Sequence, residues 1–141
     1  MASKRAYLDH LRNVPLFSSC SNRELQTIAK ATDELTVPAG HVLTDQGQMG
    51  REAFVLIDGS ATVKRNGKKV TTLGPGSVVG ELSLLDHGPR TATVTTDTAT
   101  TLLVIEQRHF LGVLDMVPSI THKLLATLAS KVRDFDRQYY G

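Results

Sequence analysis

Residues 80–94 read GELSLLDHGPRTATV, with a carboxylate at Glu81 and a guanidinium at Arg90, nine positions apart. A surface hairpin requires neither charge at a fixed place, but a phosphate pocket can use both. Glu81 heads a run of good helix formers, and an acid at the first position suits a helix N-terminus. A helix of one to two turns is therefore expected from about Glu81, its first backbone N–H groups lacking intrahelical partners and open to an anion. Gly88 and Pro89 cannot continue that helix. RTATVT then reads as a strand, so Arg90 falls where a loop turns back into a sheet. From there its guanidinium can reach the helix start and grip a phosphate bidentately. The alternative is a plain Glu81–Arg90 salt bridge at a loop edge, which at a surface stabilises by only about 0–1 kcal/mol.

The rest of the chain must hold this segment, and its hydrophobic period divides it into helices over 1–33, strands over 34–105 and helices over 106–141. Tyr7, Leu8, Leu11 and Val14 mark a short amphipathic helix that stops before Pro15. Ser21 with Glu24 three residues on forms a capping box for a second helix, whose apolar face is Leu25, Ile28 and Ala29. From about Glu34 to Ile105, short β-branched runs alternate with Gly, Asp and Asn punctuation. Asn66-Gly67 is the strongest hairpin signal, and Asp58-Gly59 and Gly74-Pro75-Gly76 mark further turns. Many short strands at this spacing imply a sandwich, roll or barrel.

After the strands, Phe110, Leu111 and Leu114 share one helix face, and Pro118 suits the first turn of a last helix. In that helix Leu125, Leu128, Val132, Phe135 and Tyr139 are spaced 3, 4, 3, 4, as a heptad seam requires. The pattern fits either a helix docked on the domain or the seam of a homodimer.

The bulk properties bound the reading. A length of 141 residues fits one domain over 1–141, large enough for an ordinary core. The chain is 40% hydrophobic and 21% charged, which is globular, and a net charge of +2 does not argue for nucleic acid. One cysteine, Cys20, excludes an internal disulfide. The N-terminus has no apolar signal-peptide core, and no stretch approaches the ~18 apolar residues of a membrane span. A cytoplasmic protein is expected.

GELSLLDHGPRTATV resembles the phosphate-binding cassette of cyclic nucleotide-binding domains, the module of cAMP-dependent kinase regulatory subunits, cyclic-nucleotide-gated channels and the catabolite activator protein. The pattern there is G-E-L-(small)-L, a short gap, then P-R-(A/S/T)-A-(T/S/W)-V. VPLFSSCSNRELQTIA resembles the N-terminal helical lead of that family, VLTDQGQMGREAFVLIDGSATVKRNGKKVTTLGPGSVVGE its roll, and HFLGVLDMVPSITHKLLATLASKVRDFDRQ its closing helices. The likeness spans essentially the whole chain. It implies a mainly β fold: an eight-stranded antiparallel, jelly-roll-like β-roll over 34–105 that includes the cassette, with an N-terminal helical lead, a short cassette helix and C-terminal helices.

The resemblance also implies a binding module with no catalytic residues, no metal and no cofactor, its ligand being cAMP or cGMP. Gly80, Glu81, Leu82, Ser83, Arg90 and Thr91 form the expected site. Glu81 would accept a hydrogen bond from the ribose 2′-hydroxyl, Arg90 would pair with the cyclic phosphate, and the backbone N–H groups of Leu82 and Ser83 would cap that phosphate. An anion with an adjacent hydroxyl accounts for both charges. Thr91 stays open: its hydroxyl can meet a phosphate oxygen or a syn guanine's amino group, or its branched side chain can face the core. cAMP is placed ahead of cGMP. In the family a residue of the last helix or of a partner subunit often covers the base, and Lys131, Phe135 and Tyr139 are candidates by position only, each better explained as helix surface or seam. No helix-turn-helix, kinase or channel sequence follows, so a stand-alone sensor is expected, with an unidentified downstream protein partner and no direct contact to nucleic acid.

Two other functions compete. A degenerate roll could keep the fold and serve as a protein-interaction or dimerisation unit. A cupin-like roll enzyme would need a metal, but His10, His41, His87, His109 and His122 show no ligand spacing. Gly74, Gly76 and Gly80 miss the dinucleotide-binding spacing. Cys20 has no nearby base to activate it, and Glu52 and Asp58 read as solvated charges beside turns.

Overall fold

The computed structural model describes residues 4–86 and 88–140, with the side chains of residues 7–86 and 88–138. The chain opens with α1 (Lys4–Arg12), a 3-10 turn (Pro15–Phe17) and α2 (Asn22–Ala29). The capping box forms as expected: the Ser21 Oγ accepts from the Glu24 N–H at 3.2 Å, and the Glu24 carboxylate accepts from the Ser21 N–H at 2.8 Å. Two otherwise orphaned donors are thereby satisfied.

Eight strands follow: β1 (Thr32–Val37), β2 (Val42–Thr44), β3 (Glu52–Asp58), β4 (Ala61–Arg65), β5 (Lys68–Leu73), β6 (Val78–Val79), β7 (Thr93–Thr96) and β8 (Thr100–Glu106). Every pairing is antiparallel. One sheet runs β1-β8-β3-β6 and the other β2-β7-β4-β5, so the expected eight-stranded roll is the fold. β1 starts at Thr32, two residues before the expected change of period, because Thr32 already pairs with Ile105. Asn66 (φ 53°) and Gly67 (φ 77°) both take the left-handed region, as a two-residue hairpin between β4 and β5 demands. Gln46 brackets Asn66 with two hydrogen bonds of 2.8 Å, tying this hairpin tip to the loop before β3.

α3 (Gln107–Met116) and α4 (Pro118–Tyr140) close the chain. Two cores result. The first joins the helices to one face of the β1-β8-β3-β6 sheet, through Leu11, Phe17, Leu25, Ile28, Phe110, Ile120 and Leu124 against Ala53, Val55, Leu103 and Ile105. The second fills the roll with Val37, Leu43, Phe54, Leu56, Val79, Val94 and Leu102. β3 and β8 serve both, since successive side chains of a strand point to opposite faces. Phe17 and Phe110 pack with ring centroids 5.5 Å apart, worth about 0.5–1.5 kcal/mol beyond the area they bury.

Two expectations for the closing helices change. In α3 Phe110 is buried and Leu114 packs against the core as expected, Val113 joins them, and Leu111 is exposed. The buried Gln107 anchors the start of the helix by donating to the Asp86 carbonyl at 2.8 Å. In α4 the first half docks through Ile120 and Leu124, with Leu128 half-buried against them. Leu125, Val132 and Phe135 of the heptad seam remain on the exposed side, and the Tyr139 side chain lies outside the described residues.

α4 is further fastened to α2 by charge. Glu24 is buried, and it accepts from Lys123 and, at 2.5 Å, from Ser119. Burial pushes its carboxyl pKa up, but the hydrogen bonds from Lys123, Ser119 and Ser21 outweigh that and bring it down to about 2.

Candidate functional site

The cassette spans the gap between the sheets, leaving one at β6 and entering the other at β7. Its helix is a single 3-10 turn, Glu81–Leu84, entered from Gly80 in the left-handed region (φ 73°). The expected one- to two-turn helix is thus reduced to its minimum. Leu84 explains where it sits, being fully buried in the helical core, while Leu82 stays exposed at the pocket. The Ser83 N–H donates to the Gly80 carbonyl at 3.0 Å. That corrects the expectation that this amide is open to an anion, since the tight turn uses it.

Ser83 instead contributes its hydroxyl, buried and accepting from Arg90 Nη1 at 3.0 Å. Arg90 precedes β7 in a loop, and its backbone is fixed on both sides. Its N–H donates to the Gln48 carbonyl at 2.7 Å, and its carbonyl accepts from the Gly47 N–H at 2.9 Å. Two glycines leave room for the guanidinium. A Cβ at Gly50 would lie 2.7 Å from Arg90 Cζ and Nε, and a Cβ at Gly80 would run into Nη1. Burial lowers the Arg90 pKa from its ordinary value, and the Glu52 carboxylate opposes that shift. Glu52 is half-buried at the start of β3, so the reading of it as a solvated turn charge is corrected.

Glu81 makes no salt bridge with Arg90. Its Oε1 lies 3.6 Å from Lys131 Nζ on α4, and its Oε2 is buried with no hydrogen-bond partner among the described residues. A buried carboxylate oxygen without a donor is costly, and it is the natural acceptor for a hydroxyl of a bound molecule. Thr91 is exposed and lines the pocket, and its carbonyl accepts from Arg65 Nε at 3.1 Å. The core-facing alternative for Thr91 is therefore removed.

Gly80, Glu81, Leu82, Ser83, Arg90 and Thr91 all line one cavity of about 410 Å³, a size that suits a nucleotide-sized ligand. Its apolar wall includes Val63, Leu73 and Val79. Sequence reading missed Gly50, Glu52 and Arg65. The two glycines 47 and 50 flanking QM could have flagged the tight approach, but nothing local distinguishes Arg65 from a surface cation.

Elsewhere, among the described residues, no cluster of three His, Cys, Asp or Glu could hold a metal ion. No helix of the described residues is long and apolar enough to cross a membrane. Cys20 is buried, and burial with the Glu24 charge pushes its thiol pKa up.

The two sheets, the bridging cassette and the cradled guanidinium define a β-roll with a cavity lined by one cation and one carboxylate. The family model described as Cyclic nucleotide-binding domain matches residues 34–116, and the chain belongs to this family. It is 28% identical over 131 residues to the Cyclic AMP receptor protein of Thermus thermophilus, covering 89% of this chain and 61% of that protein. It is 35% identical over 105 residues to the cAMP-dependent protein kinase regulatory subunit of Schizosaccharomyces pombe, covering 74% of this chain and 26% of that protein. The chain thus spans less than two thirds of either relative. Among solved structures, the N-terminal domain of a transcriptional regulator from Streptomyces coelicolor superposes with a TM-score of 0.86 at 29% identity, covering 92% of this chain and 96% of that one.

Proposed function

We propose that this chain is a sensor module that takes a 3′,5′-cyclic nucleotide into the cassette pocket, with cAMP ahead of cGMP. Arg90 holds the cyclic phosphate, with the open side of its guanidinium facing the ligand and Ser83 fixing the other. Glu81 accepts the ribose 2′-hydroxyl through Oε2. Gly80 and the backbone at Leu82 allow close approach, and Thr91 stands at the rim. The observation that carries the reading is the pairing, in one cavity, of a clamped guanidinium with an orphaned carboxylate oxygen. A phosphate and a neighbouring hydroxyl complement that pair. The preference for cAMP draws support from the names of the two relatives.

Titration calorimetry with cAMP and cGMP tests the proposal. Wild type should bind both, cAMP more tightly, and Arg90→Ala should lose a charge-assisted contact of about 1.5–3 kcal/mol, roughly ten- to a hundredfold in affinity. Absence of micromolar binding by the wild type would end the reading.

The last helix is the proposed output element. Its exposed Leu125 and Val132 offer an apolar face to a second copy or a downstream protein. Sedimentation of wild type and Leu125→Glu, with and without nucleotide, checks the homodimer. An invariant monomer in every condition excludes it.

A further inference from the structure

Asn66 and Gly67 form the exposed tip between β4 and β5. Asparagine followed by glycine is chemically labile, because glycine has no Cβ to shield its backbone nitrogen from the amide carbon of the residue before it. At this tip that nitrogen is free. The Gly67 N–H donates to no acceptor among the described residues, and a Cβ placed on Gly67 would meet no atom within 4 Å. The charges around the tip favour reaction too. Lys64 stands opposite Lys69, and Arg65 opposite Lys68. All are exposed, and none pairs with a carboxylate among the described residues. Like charges facing each other across a strand pair destabilise a hairpin. The same cations favour an anion in their midst, whether the deprotonated amide that attacks or the carboxylate that results.

We propose that Asn66 is a site of covalent self-modification, deamidation through a succinimide, which the Gln46 side chain holds in check. The Gly67 nitrogen gives its proton to water and forms a bond to Asn66 Cγ. The Cγ–Nδ2 bond breaks, and the departing nitrogen takes up protons from water and leaves as ammonia. Water then opens the ring at either carbonyl, leaving aspartate or isoaspartate. The net change is one water consumed and one ammonia released. Ring closure requires Cγ to swing onto the Gly67 nitrogen. Gln46 opposes this, since its Nε2 donates to Asn66 Oδ1 and its Oε1 accepts from the Asn66 N–H, each at 2.8 Å. Side chain and backbone of Asn66 are thus both tied to the loop before β3, and the reactive geometry is reached only when this bracket opens. Isoaspartate adds a backbone atom to a tip whose left-handed geometry the two-residue turn demands. The hairpin also supplies Val63, Arg65 and Leu73 to the cavity wall, and Arg65 Nε donates to the Thr91 carbonyl at 3.1 Å. The wall therefore shifts with the tip.

Incubation of the full chain at neutral and at alkaline pH, followed by peptide mapping in a mass spectrometer, tests this. The mass gained when an amide becomes an acid should accumulate at Asn66, and faster at alkaline pH, where more of the attacking amide is deprotonated. Gln46→Ala should raise the native rate by about three- to tenfold, the scale of one or two neutral hydrogen bonds. Gln46→Glu keeps the acceptor for the Asn66 N–H but loses the donor to Oδ1, and its rate should fall between the two. In concentrated urea, where the bracket is gone, wild type and Gln46→Ala should react at one common rate. No conversion at Asn66 in either native protein overturns the proposal, as does a native rate that Gln46→Ala leaves unchanged or lowers. Neither result bears on whether the pocket takes a nucleotide.

Discussion

Arg90 donates through Nη1 to the Ser83 hydroxyl at 3.0 Å, so the charged end of the cassette is clamped to its own first turn. This bond sets the guanidinium before any ligand arrives. Little reorganisation is then required on binding, which is how preorganised sites gain affinity. The same bond makes the site sensitive to the backbone that frames it.

Gly50→Ala addresses that frame. Gly50 does not need a left-handed backbone, so the added methyl acts through its clash with Ser83 and Arg90 rather than through strain. Nucleotide affinity should fall by about tenfold, with thermal stability lowered by a few degrees at most. Wild-type affinity in calorimetry would mean that the guanidinium yields without consequence and that the cradle has no role.

The Glu24 carboxyl predicts a specific acid sensitivity. Its folded pKa of about 2 lies below the ordinary value of 4.5. The stabilisation is therefore present above pH 4.5 and is lost as pH falls toward 2, amounting to about 3 kcal/mol at neutral pH. Glu24→Gln should lower the urea midpoint markedly at pH 7 and progressively less below pH 4.5. A difference between the two proteins that does not change with pH would refute this account.

Leu84→Ala should couple stability to the site. Leu84 is fully buried in the helical core although it belongs to the cassette. Its truncation should cost about 2–5 kcal/mol, read as a lowered midpoint of denaturant unfolding, and should release the turn that carries Glu81 and Ser83. A variant as stable as wild type would show that the turn is not held by this side chain.

Much of this architecture is legible in local sequence because local rules decide it. The Ser21–Glu24 box and the Asn66-Gly67 turn each require particular residues at adjacent positions, and both form. The cassette charges were legible by type and spacing. What escaped is long-range. The start of α3 is anchored by Gln107 meeting Asp86, twenty-one residues away. The other Glu81 oxygen meets Lys131, fifty residues on. The cassette turn is shorter than its helix formers suggest because burying Leu84 overrides propensity.

β3 and β8 act as a party wall between two compartments. On β3, Phe54 and Leu56 face the roll while Ala53 and Val55 face the helices, and on β8, Leu102 faces the roll while Leu103 and Ile105 face the helices. Even-numbered positions of these strands thus belong to the chamber that walls the pocket, and odd-numbered ones to the layer that carries α4. A substitution scan along either strand should alternate in phenotype with residue parity, one class disturbing uptake and its immediate neighbour disturbing the attachment of the helices.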